Sequence, residues 1–197
     1  AKPLDVALAS GGFEPRPLLL GTNKDEGTLF HAPIYAMPVA DETEMRAALA
    51  VRFGNNVDAI MSHYPVASYP TANDALAAVT GDAFFVCPAR RMARALSTTI
   101  YRYSFERPLD NPFFQGLGVF HSTDIPFVFG NDNYPLGSIA SAGALVDTVQ
   151  TAWTDFARTG QLDWPAWTAG DPYMQLTDTP SPQTGLKTAL CDFWDSL

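Results

Sequence analysis

Residues 17–27 decide the fold and read Pro17-Leu18-Leu19-Leu20-Gly21-Thr22-Asn23-Lys24-Asp25-Glu26-Gly27. The apolar run Pro17–Leu20 is typical of a short buried strand that stops at Gly21, and Gly21–Gly27 is then a polar loop at its C-terminal end. Functional groups of open α/β sheets collect beyond the C-terminal ends of strands. Asp25 and Glu26 are therefore candidates to orient a histidine or to bind a metal. From composition alone, a solvated loop with a Lys24–Asp25 pair explains them more simply.

The rest of the chain mixes helices with a few strands. Helices are predicted over residues 41–53, 56–64, 71–86, 88–96, 141–160 and 184–197, and strands over 99–105 and 173–176. Asp41, Thr71 or Asn73, and Ser141 are the expected N-caps, and a long aromatic loop covers residues 111–133. Two or three strands cannot form a self-sufficient parallel sheet, which must be covered on both faces. We therefore expect an α/β fold with part of the sheet outside this chain.

Charge and hydropathy exclude several classes of partner. The 197 residues carry a formal net charge of −9, and hydrophobic residues make up 47% of the chain. Nucleic acid is an unfavourable partner, because binding phosphates requires clustered positive charge. Anionic membrane surfaces are disfavoured for the same reason, and no apolar run approaches the ~18 residues of a membrane span.

His121 is the histidine with the most suggestive surroundings. It follows Gly116-Leu117-Gly118-Val119-Phe120, and the polar Ser122-Thr123-Asp124 precede an apolar run over Ile125–Phe129. This pattern places an imidazole at the wet edge of a core, which suits a general base. A structural histidine with satisfied hydrogen bonds fits these residues equally well. His31 and His63 are interpreted as packing or structural residues, and without a His-x-x-x-His or Cys-x-x-Cys pair we expect no metal site.

A nucleophile is missing from the sequence, and the cysteines are ambiguous. No Gly-x-Ser-x-Gly elbow occurs; the nearest string, Ile139-Ala140-Ser141-Ala142-Gly143, lacks its first glycine and is interpreted as a helix cap. Cys87 and Cys191 are either both buried and reduced, or joined in a disulfide that closes a loop of about 104 residues. Spacing alone does not decide between the two.

Five strings, spread in order over nearly the whole chain, resemble the C-terminal part of the type-B carboxylesterase family, which includes cholinesterases and lipases. They are Leu18–Gly27, Asp82–Pro88, Gly118–Gly130, Trp153–Gly160 with Trp164–Trp167, and Cys191–Trp194. The resemblance implies an α/β-hydrolase fold with a triad in the chain order Ser, acid, His. Glu26 matches the acid of the triad and His121 its histidine. Cys87 and Cys191 lie in two segments that many members join by a disulfide.

The resemblance also implies a mechanism and a division of the domain. Residues 1–197 are expected to be the C-terminal portion of a single α/β-hydrolase domain, inactive alone, whose absent N-terminal portion carries the Ser and the oxyanion hole. That portion is then the expected partner, small neutral esters are the expected substrates, and no cofactor or metal is required. Asp124 is a candidate to support His121. Phe113, Phe114 and Phe120 are candidates to line an apolar substrate pocket.

Other functions remain open on the same residues. A non-catalytic binding or adhesion relative is the alternative, because a fold does not fix a function. An independent small domain with an unrelated role is a third possibility. If the proposed disulfide forms, we expect a secreted or periplasmic protein, because disulfides persist in oxidising compartments.

Overall fold

The computed structural model describes Val6, Ser10 and residues 14–197, and these form a mixed four-stranded sheet flanked by helices. The strands are β1 (Leu18–Asn23), β2 (Ile100–Phe105), β3 (Pro172–Leu176) and β4 (Ser181–Thr184). The helices are α1 (Glu42–Phe53), α2 (Val57–His63), α3 (Ala72–Gly81), α4 (Cys87–Ala95), α5 (Ile125–Phe129), α6 (Gly143–Thr159) and α7 (Thr188–Ser196). A π-helical segment, Asp82–Val86, joins α3 to α4.

The sheet has the order β1-β2-β3-β4. β1 and β3 both run parallel to β2, and β4 closes an antiparallel hairpin on β3. The β1–β2 register extends from Leu18 opposite Ile100 to Asn23 opposite Phe105. Every residue of β2 is buried, as expected for a central parallel strand covered on both faces. The predicted α/β class is confirmed.

β1 is longer than its sequence predicts, because Gly21 lies within the strand rather than at its end. The ring of Tyr103 on β2 packs directly over Gly21, and a Cβ added to Gly21 would lie 2.3 Å from that ring. Glycine is therefore required here by a close approach of a side chain and not by a turn. The consequence is that the strand carries Thr22 and Asn23 to the C-terminal edge of the sheet.

Several helix ends also differ from the sequence prediction. Asp41 and Thr71 do cap α1 and α3, accepting hydrogen bonds from the N–H groups of Glu44 and Asp74. The Ser141 cap is wrong: α6 begins at Gly143, and the Ser141 hydroxyl is held by side chains of the preceding loop. The last helix begins at Thr188 and not at residue 184, because residues 181–184 form β4.

The buried apolar side chains form two cores. The helical core joins α1, α2, α3 and α7 around Met45, Leu49, Ile60, Val79 and Trp194. The sheet core joins β2, β3 and α6 around Phe105, Phe120, Phe127, Leu145 and Leu176. None of the helices in the described residues is long and apolar enough to cross a membrane.

The helical core contains a disulfide and adjoins two buried ionic contacts. Cys87 at the start of α4 is bonded to Cys191 in α7, 104 residues further along the chain, which confirms the pairing implied by the resemblance.

Beside the disulfide, Lys187 donates to the buried carboxylate of Asp82 over 2.5 Å. Asp171, also buried, accepts from Arg90 over 3.0 Å and from Arg102. These contacts fix α4 and α7 to the sheet.

Candidate active site

Glu26 is fixed in a tight turn that follows β1. The backbone N–H of Asn23 donates to Glu26 Oε1 over 2.7 Å, so the turn itself holds the carboxylate. The next residue, Gly27, packs against α3, where an added Cβ would lie 1.9 Å from the carbonyl oxygen of Ala77. No residue with a side chain fits that space. The Glu26 carboxylate is consequently buried and rigidly held.

His121 lies on the long loop that follows β2. Asp25 holds this loop: its N–H donates to the carbonyl of Val119 over 2.9 Å, and its carboxylate accepts from the N–H of Val119 over 2.9 Å. Gly118 has φ +62, and an added Cβ would lie 2.3 Å from Asp25 Oδ2. The loop can therefore approach the Glu26 turn only with glycine at position 118. Ser122 has φ +76, a strained conformation for a residue with a side chain, of the kind found beside functional groups.

The two turns bring His121 and Glu26 into direct contact. His121 Nδ1 lies 2.6 Å from Glu26 Oε2, and the two side chains are 41% and 5% exposed. The two residues that the family resemblance assigns to one triad are therefore within hydrogen-bonding distance of each other. With Nδ1–H donating to the carboxylate, Nε2 is the unprotonated nitrogen of the ring. A neutral imidazole in this orientation can accept a proton through Nε2.

Opposing effects act on the Glu26 carboxyl. Burial is the largest, and it raises the pKa of Glu26 above its ordinary value of 4.5. The hydrogen bonds from Asn23 and His121 lower the pKa, and the charge of Asp124 raises it again. Because little water screens the charge of a buried carboxylate, Glu26 interacts strongly with any positive charge that forms on the adjacent imidazole.

Aromatic side chains surround His121, although not those expected from the sequence. The rings of Phe30 and Phe85 lie 5.3 and 5.0 Å from the imidazole, measured between ring centroids. Phe113 is 93% exposed, whereas Phe120 is 1% exposed because it belongs to the sheet core. The ring of Phe114 packs on that of Phe120. These three rings are not among the side chains that line the hollow beside His121 in the described residues, and their role in a substrate pocket stays a prediction.

A hollow of about 390 Å³ opens beside His121. Its walls include Glu26, Leu20, Phe85 and Met92, which come from β1 and its turn, the π-helical segment and α4. A second hollow of about 440 Å³ shares Phe85 with the first and has mostly apolar walls, which include Leu49 of α1 and Leu76 of α3. Apolar walls with a few polar groups are typical of small-molecule sites.

Asp124 lies close to this pair and has two donors. Asn23 Nδ2 lies 3.2 Å from Asp124 Oδ1, and the hydroxyl of Tyr103 lies 3.1 Å from Asp124 Oδ2. The sequence indicated Asp124 but neither of its partners, because nothing in the local pattern marks contacts that close over 101 and 21 residues of chain. Among the described residues, no cluster of three or more His, Cys, Asp or Glu side chains could hold a metal ion.

The chain is similar to known proteins over most of its length. The profile of the family described as "Carboxylesterase family" matches residues 1–194. The acetylcholinesterase of Bungarus fasciatus is 29% identical over 97% of this chain and 36% of its own length. The para-nitrobenzyl esterase of Bacillus subtilis (strain 168) is 31% identical over 83% of this chain and 34% of its own length.

Solved structures agree on the fold. A PNB esterase structure superposes with a TM-score of 0.74 at 26% identity, over 96% of this chain and 40% of that one. The EstA protein of Aspergillus niger superposes with a TM-score of 0.78 at 20% identity, over 97% of this chain and 41% of that one. The fold is that of the α/β-hydrolases. The chain spans about a third of the length of these two curated relatives.

Proposed function

This chain belongs to the carboxylesterase family, and we propose that it supplies the acid and the base of a serine ester hydrolase. The observation that carries the proposal is the 2.6 Å contact between His121 Nδ1 and Glu26 Oε2. Two side chains from separate turns meet at the C-terminal edge of a largely parallel sheet, and Nε2 is left to face a nucleophile.

The proposed nucleophile is a serine in an N-terminal portion of the same domain, outside these residues. Its hydroxyl attacks the ester carbonyl while His121 Nε2 takes the hydroxyl proton, and the tetrahedral intermediate collapses to an acyl-enzyme. His121 returns that proton to the leaving alcohol. Water then attacks the acyl-enzyme by the same route, releasing the acid and restoring the serine.

Glu26 supports both steps through His121. It keeps the Nδ1–H tautomer in place, so that Nε2 presents a lone pair whenever the ring is neutral, and its negative charge stabilises the imidazolium that forms twice in each cycle. Asp124 is proposed to support the loop that carries the histidine. The proposed substrates are small neutral esters, because a chain of net charge −9 repels anions at long range.

The N-terminal portion is also the proposed partner of the exposed surface of this chain. β1 is an edge strand among the described residues, and a covered parallel sheet requires a neighbour there. Large apolar side chains, such as Ile34, Tyr35 and Met37, are at least 64% exposed. The disulfide supports a secreted or periplasmic location.

The test is hydrolysis of p-nitrophenyl acetate by the complete protein that contains this chain. We expect His121→Ala to lower kcat by about 10⁴-fold and Glu26→Gln by about 10²- to 10⁴-fold. His63→Gln is the matched control, because His63 is exposed and stacks on Phe193, and it should leave kcat unchanged.

The same preparation distinguishes the alternative function. A phosphonate reagent that labels activated serines should modify a serine outside the 197 residues. Labelling of a serine within them would contradict the proposed division of the triad. A complete protein that neither hydrolyses the ester nor reacts with the reagent would favour the binding or adhesion relative.

A further inference from the structure

Asn23 is the first of two buried residues that connect the elements of the site. Its backbone N–H donates to Glu26 Oε1 over 2.7 Å, and its side-chain amide donates to Asp124 Oδ1 over 3.2 Å. One residue therefore binds two carboxylates, one on each of the turns that meet at the site. Asn23 is 3% exposed, so water does not compete for these contacts.

Tyr103 provides the second donor to Asp124. Its hydroxyl lies 3.1 Å from Asp124 Oδ2, so both oxygens of this carboxylate are bound by protein donors. The ring is held between Gly21 and the edge of Trp153. Burial, together with the adjacent charge of Asp124, raises the pKa of Tyr103 well above its ordinary value, which keeps the hydroxyl a donor.

These contacts close a ring of interactions around the Glu26–His121 pair. The ring runs from Asn23 to Glu26, across to His121, along three residues of the loop to Asp124, and back to Asn23. Resting on the function proposed above, the geometry points to Asn23 and Tyr103 as positioning residues that hold the His121 loop in register with Glu26 through Asp124. Neither residue touches the substrate in this role.

The arrangement is suited to positioning because Asp124 lies directly before α5. Movement of Asp124 would carry the preceding His121 with it, since only Ser122 and Thr123 intervene. A hydrogen bond of 2.6 Å between the imidazole and Glu26 depends on sub-ångström placement. A displacement of about 1 Å at a reacting group can cost about 10²-fold in rate.

The first test is Tyr103→Phe in the complete protein, measured with p-nitrophenyl acetate. This change removes one hydroxyl and keeps the ring over Gly21. We expect kcat to fall about tenfold with KM unchanged, because positioning is lost and substrate binding is not. The matched control is Tyr101→Phe, on the same face of β2, whose ring packs on Phe156 away from Asp124. Equal kcat in the two variants would overturn the role of Tyr103.

The second test is a pair of substitutions at Asn23, whose backbone N–H to Glu26 is retained in both. Asn23→Ala removes only the side-chain donor and should also lower kcat about tenfold. Asn23→Asp places a third carboxylate beside Glu26 and Asp124. His121, Asp124 and Tyr103 are the titratable groups that interact with Glu26. A negative charge added at position 23 favours the protonated forms of Glu26 and of the His121 imidazole.

The pH profile then separates positioning at the site from a general loss of structure. We expect the acidic limb of kcat/KM to move to higher pH in Asn23→Asp. Asn55→Asp, which adds the same charge on the exposed turn after α1, should leave that limb in place. An acidic limb that does not move in Asn23→Asp would overturn the assignment.

A spectroscopic measurement makes the result independent of turnover. The proton on His121 Nδ1 should give a far-downfield ¹H NMR signal in the complete protein, and Asn23→Ala and Tyr103→Phe should weaken it or move it upfield. An inactive wild-type protein that shows the signal and its response would refute the proposed function alone. An active protein whose signal and kcat ignore both substitutions would refute the positioning roles alone.

Discussion

At the scale of single residues, the site depends on a carboxylate that is costly to bury. Burial raises the pKa of Glu26, and two groups offset part of that effect by lowering it: the Asn23 N–H and the His121 ring. Its pKa nevertheless stays above the ordinary value. A functional group of this kind is expected to lower the stability of the protein that contains it.

The contribution of Glu26 to stability depends on pH. The unfolded chain loses the Glu26 proton near its ordinary pKa of 4.5, whereas the folded protein loses it at higher pH. The folded state thus binds more protons in the interval between them, and the free energy of unfolding falls as pH rises through it. Below that interval the contribution of Glu26 to stability is fully present.

We therefore predict that Glu26→Gln removes this decline. Denaturant titrations at several pH values from 4 to 7 measure this. The free energy of unfolding of the variant minus that of the wild type should increase as pH rises. Glu42→Gln, at an exposed carboxyl in the first turn of α1, is the control and should follow the wild type. A difference that shrinks with rising pH would show that the folded pKa is lowered instead.

Residue-scale features also show what the sequence can and cannot reveal about the site. The contact between Glu26 and His121 was predictable because each residue lies in a string of ten or more residues that resembles a family segment. Asn23 and Tyr103 were not, although Asn23 lies within one of those strings. Both residues donate hydrogen bonds to Asp124, and pattern analysis along a single chain does not detect such contacts between distant segments.

At the scale of elements, tertiary packing sets several helix and strand boundaries that the local sequence predicts wrongly. Gly21 resembled a strand end, but the ring of Tyr103 makes it part of β1. Ser141 resembled a helix cap, but its hydroxyl is bound by Arg107 and Asp110. β4 was missed because Ser181-Pro182-Gln183-Thr184 has low strand propensity, and it forms by pairing with β3. Helix interiors, set by apolar periodicity and caps, were predicted more reliably.

A buried ionic contact between elements is expected to contribute strongly to the free energy of unfolding. Asp171 binds the guanidinium groups of Arg90 and Arg102, and these three side chains are all at most 8% exposed. Removing this carboxylate would leave the buried charge of Arg102 without an ionic partner, whereas Arg90 would keep its contact with Asp192. Because Asp171 has φ +53, asparagine is the suitable replacement, as it tolerates the left-handed region.

We predict that Asp171→Asn lowers the free energy of unfolding by about 3–5 kcal/mol, since a buried charge is left without its partner. Asp178→Asn, which breaks the exposed ion pair with Arg107, should cost at most about 1 kcal/mol. Chemical denaturation measures both. Similar losses in the two variants would mean that the buried cluster contributes no more than a surface pair.

At the scale of the whole molecule, the two edges of the sheet are not equivalent. β4 ends one side as a short antiparallel strand, whereas β1 ends the other side among the described residues with a parallel edge. Leu18 and Lys24 direct their N–H groups toward the β2 side. Because successive residues of a strand alternate, Leu19 and Gly21 direct theirs toward the open edge.

Amide hydrogen exchange tests whether another strand covers that edge in the complete protein. In the 197-residue chain we expect fast exchange at Leu19 and Gly21, and slow exchange at Leu20 and Thr22, whose N–H groups face β2. In the complete protein all four should exchange slowly. Fast exchange at Leu19 in the complete protein would contradict a neighbouring strand, and the slow pair serves as the internal control for folding.

The open edge of β1 has a practical consequence for anyone who produces this chain by itself. No strand of the part of the chain that the structure describes pairs with the outward N–H groups of Leu19 and Gly21. Such an apolar edge is a template for other copies, so concentrated solutions should form ribbons that grow by strand addition. Leu19→Pro would block that growth at little cost to the β1–β2 ladder, because the lost N–H faces outward. The substitution that limits this growth would then also prevent the N-terminal portion proposed above from adding a strand beside β1.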